Sequence, residues 1–259
     1  MSGLAVVTGA SSGIGREYAR RLARRGTSLI VVGRREERLT ELAGDFPDVQ
    51  VETVVADLAE SAGIQTVIDA IGDQAVTMLV NNAGVAHYSP FADLSPAHAT
   101  ELIGVKVHAP TMLTHAVVSG MISRGQGQIV NVAGMLAFSG PASLEQVGLH
   151  RSVYASSLAY ALAFSQTLQT EIAVHGIGVQ ALLPGVVATE FHERQGMDLS
   201  AVPRMTAADV VTASLRGIEL GEGVTAPGVE QVHLLEEIFS ADLNAFGAQS
   251  AELAARYRD

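Results

Sequence analysis

Short apolar runs, most of them rich in β-branched residues, alternate along the chain with longer segments of helical periodicity. The runs predict strands at Leu4 to Thr8, Ser28 to Val32, Val51 to Val55, Met78 to Asn81, Gln128 to Val132 and Gly178 to Leu183. Strands that alternate with helices form a parallel sheet, and strands without polar alternation are covered by helices on both faces. The pattern therefore predicts an α/β fold with a doubly wound parallel sheet in three layers.

The last part of the chain lacks this alternation. Apolar residues recur at helical spacing over Glu230 to Ile238 and Ala241 to Arg256, which predicts a C-terminal helical extension over about residues 229–258. No linker-like or repetitive segment precedes it, although Gly217 to Gly228 is rich in glycine. We therefore expect a single domain over residues 1–259, in which 48% hydrophobic residues can fill one core.

The charge and composition narrow the classes of partner. The chain has 16 basic and 27 acidic residues, and its formal charge is −11. Because binding to a nucleic-acid backbone requires clustered positive charge, we expect a small-molecule partner and no nucleic acid. The chain has no cysteine, so it has neither disulfides nor thiolate metal ligands, and no metal site is predicted. Neither a secretion signal nor an apolar run of bilayer length is recognisable, which predicts a cytoplasmic protein without a membrane anchor.

A glycine-rich turn directly follows the first predicted strand and leads into the helical run Arg16 to Arg25. Such a turn lets the backbone approach a pyrophosphate, while the free N–H groups and the positive end of the helix stabilise the anion. Strand, turn and helix together predict a Rossmann-type site for a dinucleotide cofactor. The residues of this predicted site are Thr8, Gly9, Ser11, Ser12, Gly13, Ile14 and Gly15.

Two arginines, Arg34 and Arg35, follow the second predicted strand. Folds that bind NAD commonly place an acidic residue there, which accepts hydrogen bonds from the adenine ribose. Arginine instead pairs with the oxygens of a 2′-phosphate. We therefore predict NADP(H) as the cofactor; the alternative is that both arginines only solvate the start of a helix.

Four segments together resemble the motif series of the short-chain dehydrogenase/reductase family: Thr8 to Gly15, Asp57-Leu58, Asn81 to Gly84 and Pro184 to Thr189. The resemblance extends to about Leu220. It implies further cofactor contacts, from the adenine to the nicotinamide end, at Asp57, Leu58, Asn81, Ala83, Gly84, Tyr154, Pro184, Gly185, Val187 and Thr189. It also implies a homodimer or homotetramer, to which the apolar run Leu158 to Leu168 is suited.

The family reduces carbonyls or oxidises alcohols with a tyrosine that exchanges a proton with the substrate oxygen, aided by a lysine, a serine and an asparagine. Of these four residues the sequence keeps the tyrosine, Tyr154. Leu158 stands at the lysine position, Gly134 at the serine position and Lys106 at the asparagine position. The resemblance thus implies an atypical member in which Tyr154 is the proton donor.

Lys106 is predicted to replace the charge of the lysine that is missing at position 158. Its apolar neighbours, among them Val105 and Val107, indicate a mostly buried helix, where a lysine needs a partner or a solvated cavity. In the family fold the asparagine and lysine positions are close together. The ammonium of Lys106 can therefore occupy the space that remains because leucine at position 158 is shorter than lysine. A nearby ammonium lowers the pKa of a tyrosine and neutralises a developing phenolate.

The stretch from Met135 to Val153 is longer than the family usually has between the serine and the tyrosine. Its polar residues are candidates for the missing donor: Ser139, Ser143, Glu145, His150, Arg151 and Ser152. His150 is favoured as a third catalytic residue because histidine exchanges protons near neutral pH; the alternative is a solvated loop. Thr189 to Pro203 matches in position the substrate-covering loop of the family, which implies a mobile lid; the alternative is an ordinary surface helix. Further pocket candidates without assigned roles are His87, Tyr88 and His108.

The sequence leaves three functions open. The first is NADP(H)-dependent carbonyl reduction, or the reverse alcohol oxidation, on a small-molecule metabolite with Tyr154 as the proton donor. The second is a non-redox cyclisation, dehydration or isomerisation on the same scaffold, with Tyr154, His150 or Lys106 as acid or base. The third is a catalytically silent NADP-binding protein.

Overall fold

The computed structural model of the protein describes residues 3–144 and 148–258. The chain divides into two compact units, Met1–Pro227 and Gly228–Asp259. The first unit contains the sheet, and the second contains a helix that follows it in sequence. The expected single domain over the whole chain stays a prediction.

The described strands are, in chain order, β1 (Leu4–Thr8), β2 (Ser28–Gly33), β3 (Val51–Val55), β4 (Val76–Asn81), β5 (Gly127–Val132), β6 (Ile177–Leu182), β7 (Val187–Ala188), β8 (Met205–Thr206) and β9 (Val224–Thr225). β7 pairs with β8, and the other seven strands in the described part of the chain form one sheet in the order β3-β2-β1-β4-β5-β6-β9. Every pairing in this sheet is parallel. The predicted doubly wound sheet is confirmed; β9, which has two residues, is too short to predict from an apolar run.

The described helices are α1 (Gly13–Arg24), α2 (Glu36–Gly44), α3 (Ser61–Ile71), α4 (Pro96–Ile103), α5 (Ala109–Arg124), α6 (Ser152–Ile172), α7 (Glu190–Glu193), α8 (Ala207–Leu220) and α9 (His233–Gly247). A π-helical turn at Gly104–His108 joins α4 to α5, and a 3₁₀ turn at Met135–Phe138 follows β5. Of the helices in residues 3–144 and 148–258, none is long and apolar enough to cross a bilayer.

Two hydrophobic cores lie on opposite faces of the sheet. In β1, Ala5 and Val7 belong to the core that α1 and α8 cover, whereas Val6 belongs to the core that α3 and α5 cover. Successive side chains of a strand point to opposite faces, so each strand supplies both cores. Because neither face meets water, the strands are largely apolar, as expected for a parallel sheet between two layers of helices.

The C-terminal unit differs from the sequence-based prediction. Within the residues that the structure describes, it has one α-helix, α9, followed by a 3₁₀ turn at Ala255–Tyr257. The prediction of two helices, Glu230 to Ile238 and Ala241 to Arg256, is wrong. Phe239 and Ser240 join them without a glycine or proline, so nothing breaks the helical hydrogen bonds there.

The core assignment predicts the effect of shortening Leu79, which is fully buried in β4 against α3 and α5. Leu79→Ala removes buried methyl groups and leaves a cavity, so the free energy of unfolding should fall by about 2–5 kcal/mol in a urea titration. Leu220→Ala, at the end of α8 where the side chain is 59% exposed, should change it by less than about 0.5 kcal/mol. Equal losses in both variants would contradict the assignment.

Candidate active site

A cleft of about 890 Å³ opens at the carboxyl ends of the strands. β1 lies between β2 and β4, and the strand order reverses there, so the loops that follow β1 and β4 diverge. Open α/β sheets bind their ligands in this crevice. The cleft is lined by segments that follow β1 to β6 and by part of the chain between β6 and α8.

Hydrogen bonds of Thr8 and Asn82 tie the two diverging loops together. The Thr8 hydroxyl accepts from the backbone N–H groups of Asn82 (2.9 Å) and Ala83 (3.0 Å), and Asn82 Nδ2 donates to the carbonyl of Thr8 at 2.9 Å. Thr8 is 1% exposed and lies beneath the cleft. Thr8 therefore supports the floor of the cleft from below, and its part in cofactor binding stays a prediction.

The glycine turn fits a pyrophosphate. A Cβ on Gly9 would lie 2.7 Å from Asn82 Nδ2, and one on Gly15 would lie 2.5 Å from the carbonyl oxygen of Gly9. α1 begins at Gly13, and the side chain of its N-cap, Ser12, makes no capping hydrogen bond. The first-turn N–H groups, which have no partner within a helix, therefore remain available to an anion at the positive end of the helix dipole.

Most of the predicted cofactor-binding residues lie together along this cleft. Those in its wall are Gly9, Ser11, Ser12, Gly13, Ile14, Arg34, Arg35, Asp57, Leu58, Ala83, Gly84, Tyr154, Pro184, Gly185, Val187 and Thr189. Thr8, Gly15 and Asn81 lie behind it. Asn81 Nδ2 donates to Thr114 Oγ1 (3.2 Å) and Asn131 Oδ1 (2.9 Å), which links β4 to β5 and α5.

The two predicted phosphate-binding arginines have different surroundings. Arg34 Nη1 lies 3.5 Å from Asp57 Oδ2 and 3.5 Å from Glu101 Oε1, and its side chain is 54% exposed. Arg35 donates from Nη2 to Ser11 Oγ (2.8 Å) and Ser12 Oγ (2.9 Å). Arg35 is thus held against the glycine turn, whereas Arg34 stays in a loose, solvated contact.

A further ion cluster adjoins Arg35. The carboxylate of Glu190, the first residue of α7, pairs with Arg35 (3.0 Å), Arg38 and Arg194. These hydrogen bonds, the one from Arg194 foremost, lower the pKa of Glu190 to about 2. No sequence pattern indicates this cluster, because Arg35 and Arg38 lie about 155 residues before Glu190 and Arg194 in the chain.

Tyr154 lies in the first turn of α6, and its buried ring lines the cleft. The ring meets that of Tyr88 edge to face, with centroids 5.5 Å apart, and lies 6.3 Å from the ring of Phe191. Burial raises the pKa of Tyr154 above its ordinary value, and Tyr88 raises it further by electrostatic repulsion and a hydrogen bond. Tyr154 is therefore a protonated phenol at neutral pH.

Lys106 is the only lysine in the chain. The π-helical turn directs its side chain inwards, where it is 7% exposed and lines the cleft. Nζ donates to the carbonyl of Val132 at 3.3 Å, and a Cβ on Gly84 would lie 2.9 Å from it. Burial lowers the pKa of Lys106 to about 8, and no carboxylate of the described residues pairs with it. Local π-turns are frequent at functional sites.

Gly134 and Leu158, the residues at the serine and lysine positions, lie next to each other. A Cβ on Gly134 would lie 3.5 Å from Leu158 Cδ1, and Leu158 is buried. Gly134 has a φ of +156°, which side chains rarely adopt. A serine at this position would therefore be strained, and the wall between the two residues is apolar.

The described part of the insertion lines the cleft with apolar residues. Its described lining residues are Met135, Leu136 and Leu149. Arg151 is buried and ties the loop to the start of α6, because it donates to Ser139 Oγ and the carbonyl of Ala142, both at 2.8 Å.

The predicted polar donors of the insertion do not belong to the described lining of the cleft, and their catalytic roles stay predictions. The Ser139 hydroxyl accepts the hydrogen bond from Arg151 that holds the loop to α6. His150 is half-buried but outside the described lining of the cleft. Ser143, Arg151 and Ser152 are outside it too, whereas Glu145 falls outside the described residues.

The three pocket candidates without assigned roles differ in whether they line the cleft. Tyr88 lines the cleft, whereas His87 pairs with Glu101 at 2.7 Å and His108 is exposed. His192 also lines the cleft. The sequence predicts that it lies in the lid segment, without a role of its own. Burial lowers its pKa, and its Nδ1 has no hydrogen-bond partner in the described part of the chain. The segment predicted to be a lid therefore brings an imidazole that is neutral at neutral pH to the cleft.

Comparison with protein families decides which family has this site. Residues 3–199 match the family model described as short chain dehydrogenase, a match that includes the glycine turn, Lys106 and Tyr154. The chain belongs to the short-chain dehydrogenase family. The resemblance indicated by the motifs is thereby confirmed.

The chain is similar in sequence to two relatives and in structure to a solved short-chain dehydrogenase. The chain is 38% identical over 191 residues to a Homo sapiens protein named inactive hydroxysteroid dehydrogenase-like protein 1, with 71% of this chain but 56% of the human protein covered. It is 38% identical over 195 residues to sulfoacetaldehyde reductase 2 of Chromohalobacter salexigens, with 74% of this chain and 75% of the reductase covered. A short-chain dehydrogenase from Sphingobium yanoikuyae, solved in complex with NADPH, is 34% identical, with a TM-score of 0.92 and coverage of 98% of this chain and 100% of its own.

The environment of Lys106 predicts its titration. Protein labelled with lysine that carries ¹³C only at Cε should give one Cε resonance, since the chain has one lysine, and its pH midpoint should be about 8 because burial penalises the ammonium. In denaturant the midpoint should return to about 10.4. A folded-state midpoint near the denatured one would show that Lys106 is solvated, and Lys106→Met, which must lose the resonance, is the control.

Proposed function

We propose that this chain is an NADP(H)-dependent oxidoreductase that reduces the carbonyl group of a small, largely apolar metabolite. One observation carries the proposal: a protonated, buried Tyr154 and the buried ammonium of Lys106 line the same cleft as the glycine turn. The proposed proton donor, the cation and the glycine turn that would hold the cofactor thus line one cleft. Alcohol oxidation is the same chemistry in reverse.

NADPH, the cofactor we propose, supplies a hydride from its nicotinamide ring. Gly9, Gly13 and the start of α1 would hold its pyrophosphate, and Arg35 would pair with the 2′-phosphate. The Sphingobium neighbour, which was solved with NADPH, supports this choice. Val187 and Thr189, which also line the cleft, would hold the carboxamide.

Tyr154 is suited to donate a proton to the substrate oxygen. A carbonyl that accepts hydride becomes an alkoxide, which needs a proton at once. Because burial keeps the phenol protonated, the resting protein favours this direction over removal of a proton from an alcohol. The charge of Lys106 would stabilise the phenolate that remains. The Chromohalobacter relative, named as a reductase of an aldehyde, supports the same direction.

Tyr88 would take over the substrate-orienting role that a serine at Gly134 cannot perform. Its ring meets that of Tyr154 edge to face, with centroids 5.5 Å apart, and burial raises the pKa of Tyr88 to about 12. It therefore remains a hydrogen-bond donor throughout the physiological range. A carbonyl oxygen placed between the two hydroxyls would receive two hydrogen bonds, as in sites that stabilise a developing oxyanion.

The substrate end of the cleft is apolar, which supports a bulky hydrophobic group beside the carbonyl. Its apolar lining consists of Val85, Val105, Met135, Leu136, Leu149, Phe191, Met197, Leu199 and Val202. The half-buried aromatic rings of α6, Tyr160 and Phe164, stack at 5.6 Å, and we propose this helix as the contact of a homodimer or homotetramer.

A catalytically silent cofactor-binding protein is the second candidate. The apolar contact of Gly134 with Leu158 favours it, and so does the word inactive in the name of the human relative. Lys106 argues against it, because burying a lone ammonium costs stability and such groups concentrate at functional sites.

Replacing the tyrosine tests the proposal. With NADPH and a panel of aryl and alkyl ketones and aldehydes, Tyr154→Phe should lower the rate of NADPH consumption by about 10²-fold or more, the usual contribution of a general acid. Tyr88→Phe should lower it less, because Tyr154 still donates the proton. The measurement is the decay of NADPH absorbance in each variant.

Tyr160→Phe is the matched control on the same helix, because its hydroxyl bonds to Thr111 Oγ1 at 2.7 Å and it is outside the described lining of the cleft. It should keep the rate of the unaltered protein. Wild-type rates in Tyr154→Phe would overturn the role of Tyr154. Substrate conversion without NADPH consumption would favour a non-redox reaction, and bound NADPH without any conversion would favour the silent protein.

A further inference from the structure

The carboxylate of Glu190 lies among guanidinium groups that the cleft presents to its ligand. Arg35 and Arg194 both line the cleft and both pair with Glu190 Oε2, while Arg38 pairs with Oε1. Glu190 itself is not part of the described lining. Its carboxylate neutralises part of the charge of these arginines.

Arg35 has little hydrogen-bonding capacity left for a phosphate. Its Nε donates to Ser11 Oγ (3.2 Å), its Nη2 to the hydroxyls of Ser11 and Ser12, and its Nη1 to Glu190 at 3.0 Å. Arg194 likewise divides its Nη2 between Ser12 Oγ (3.3 Å) and Glu190. A second anion at this place must therefore share or displace contacts that Glu190 now makes.

The helix of Glu190 also reaches the catalytic end of the cleft. Phe191, the next residue, lies tilted at 6.3 Å from the ring of Tyr154, and a Cβ on Gly84 would be 3.7 Å from Phe191 Cε2. α7 has four residues, and Glu190 and Phe191 are neighbours in it. The same short helix thus contributes both to the arginine cluster and to the aromatic wall beside Tyr154.

We propose that Glu190 is a tethered anion that competes with the 2′-phosphate of the cofactor for Arg35, Arg38 and Arg194, and so sets the discrimination between NADP(H) and NAD(H). Binding of the phosphate releases Glu190 and with it the position of α7 beside Tyr154. NAD(H), which lacks the phosphate, leaves Glu190 in place. The inference rests on the proposed use of NADP(H) by the same site.

The carboxylate persists as a competitor at all working pH values. Its pKa, lowered to about 2 mainly by the hydrogen bond from Arg194, leaves Glu190 ionised whenever the phosphate is ionised. The competition therefore depends on charge and geometry and not on protonation. A neutral amide of the same shape removes the charge and keeps the helix.

Glu190→Gln should tighten the binding of NADP⁺ and of 2′,5′-ADP by about three- to tenfold, the range expected when a partly exposed ion-pair network is lost. The affinities for NAD⁺ and 5′-ADP should not change. Isothermal titration calorimetry of the full chain measures all four. Glu193→Gln, an exposed residue of the same helix, is the matched control and should leave all four affinities unchanged.

Hydrogen–deuterium exchange gives a readout independent of affinity. In the unaltered protein, 2′,5′-ADP should speed exchange in residues 190–196, whereas 5′-ADP should not. In Glu190→Gln these residues should exchange at the faster rate without ligand. Slower or unchanged exchange with 2′,5′-ADP in the unaltered protein would overturn the release of α7.

The outcomes separate this inference from the proposed cofactor. If the unaltered protein prefers NADP⁺ and loses the preference in Arg35→Gln, but Glu190→Gln binds NADP⁺ no more tightly, the competition is wrong and the cofactor proposal stands. Weaker NADP⁺ binding in Glu190→Gln would show instead that Glu190 positions the arginines for the phosphate, which also overturns the competition. An unaltered protein without preference for the phosphate-bearing ligands overturns both.

Discussion

Hydrogen bonds between Thr8 and Asn82 hold together two loops that the strand order sends in opposite directions. The loop after β1 and the loop after β4 would otherwise separate, and the backbone of the glycine turn would lose its support. The close approach that excludes a side chain at Gly9 is a consequence of the same contacts. Because all seven described strands of the sheet run parallel, every other loop of the site opens at the same edge and is positioned relative to this floor.

The two ends of the cleft have different physical characters. The end at the glycine turn consists of backbone N–H groups, hydroxyls and arginines, so it favours anions. The end around Tyr154 is apolar apart from the hydroxyls of Tyr88 and Tyr154, the imidazole of His192 and the ammonium of Lys106. In such surroundings a charge interacts strongly with its neighbours because little water screens it. The only lysine of the chain lines the same cleft as Tyr154.

The departures from the family pattern fit together physically. Gly134 and Leu158 pack against each other and remove two polar groups from one wall, while Lys106 adds a cation next to Gly84. The φ of Gly134 excludes a simple return to serine. A decayed site would not need a buried ammonium, which costs free energy wherever it has no acidic partner. We therefore interpret the site as one rebuilt around Tyr154.

The sequence predicted the parts of the molecule that obey a local rule. Apolar runs located six strands because both faces of the sheet are buried, and the glycine turn lies on the predicted strand-to-helix junction. Other features depend on contacts between distant segments. His150 is half-buried but outside the described lining of the cleft, in a loop that Arg151 ties to the start of α6, and Glu190 meets Arg35 from a segment 155 residues away. No periodicity or spacing encodes either contact. The predicted binding and catalytic roles themselves stay predictions.

Transfer of deuterium tests the central claim most directly. NADPH that carries deuterium at the transferring position of its nicotinamide ring is incubated with the protein and an apolar ketone, and the product is examined by mass spectrometry. The account predicts an alcohol with one deuterium on the former carbonyl carbon, formed by the unaltered protein and lost in Tyr154→Phe. A product without deuterium, or bound NADPH that is never consumed with any carbonyl compound, would contradict it.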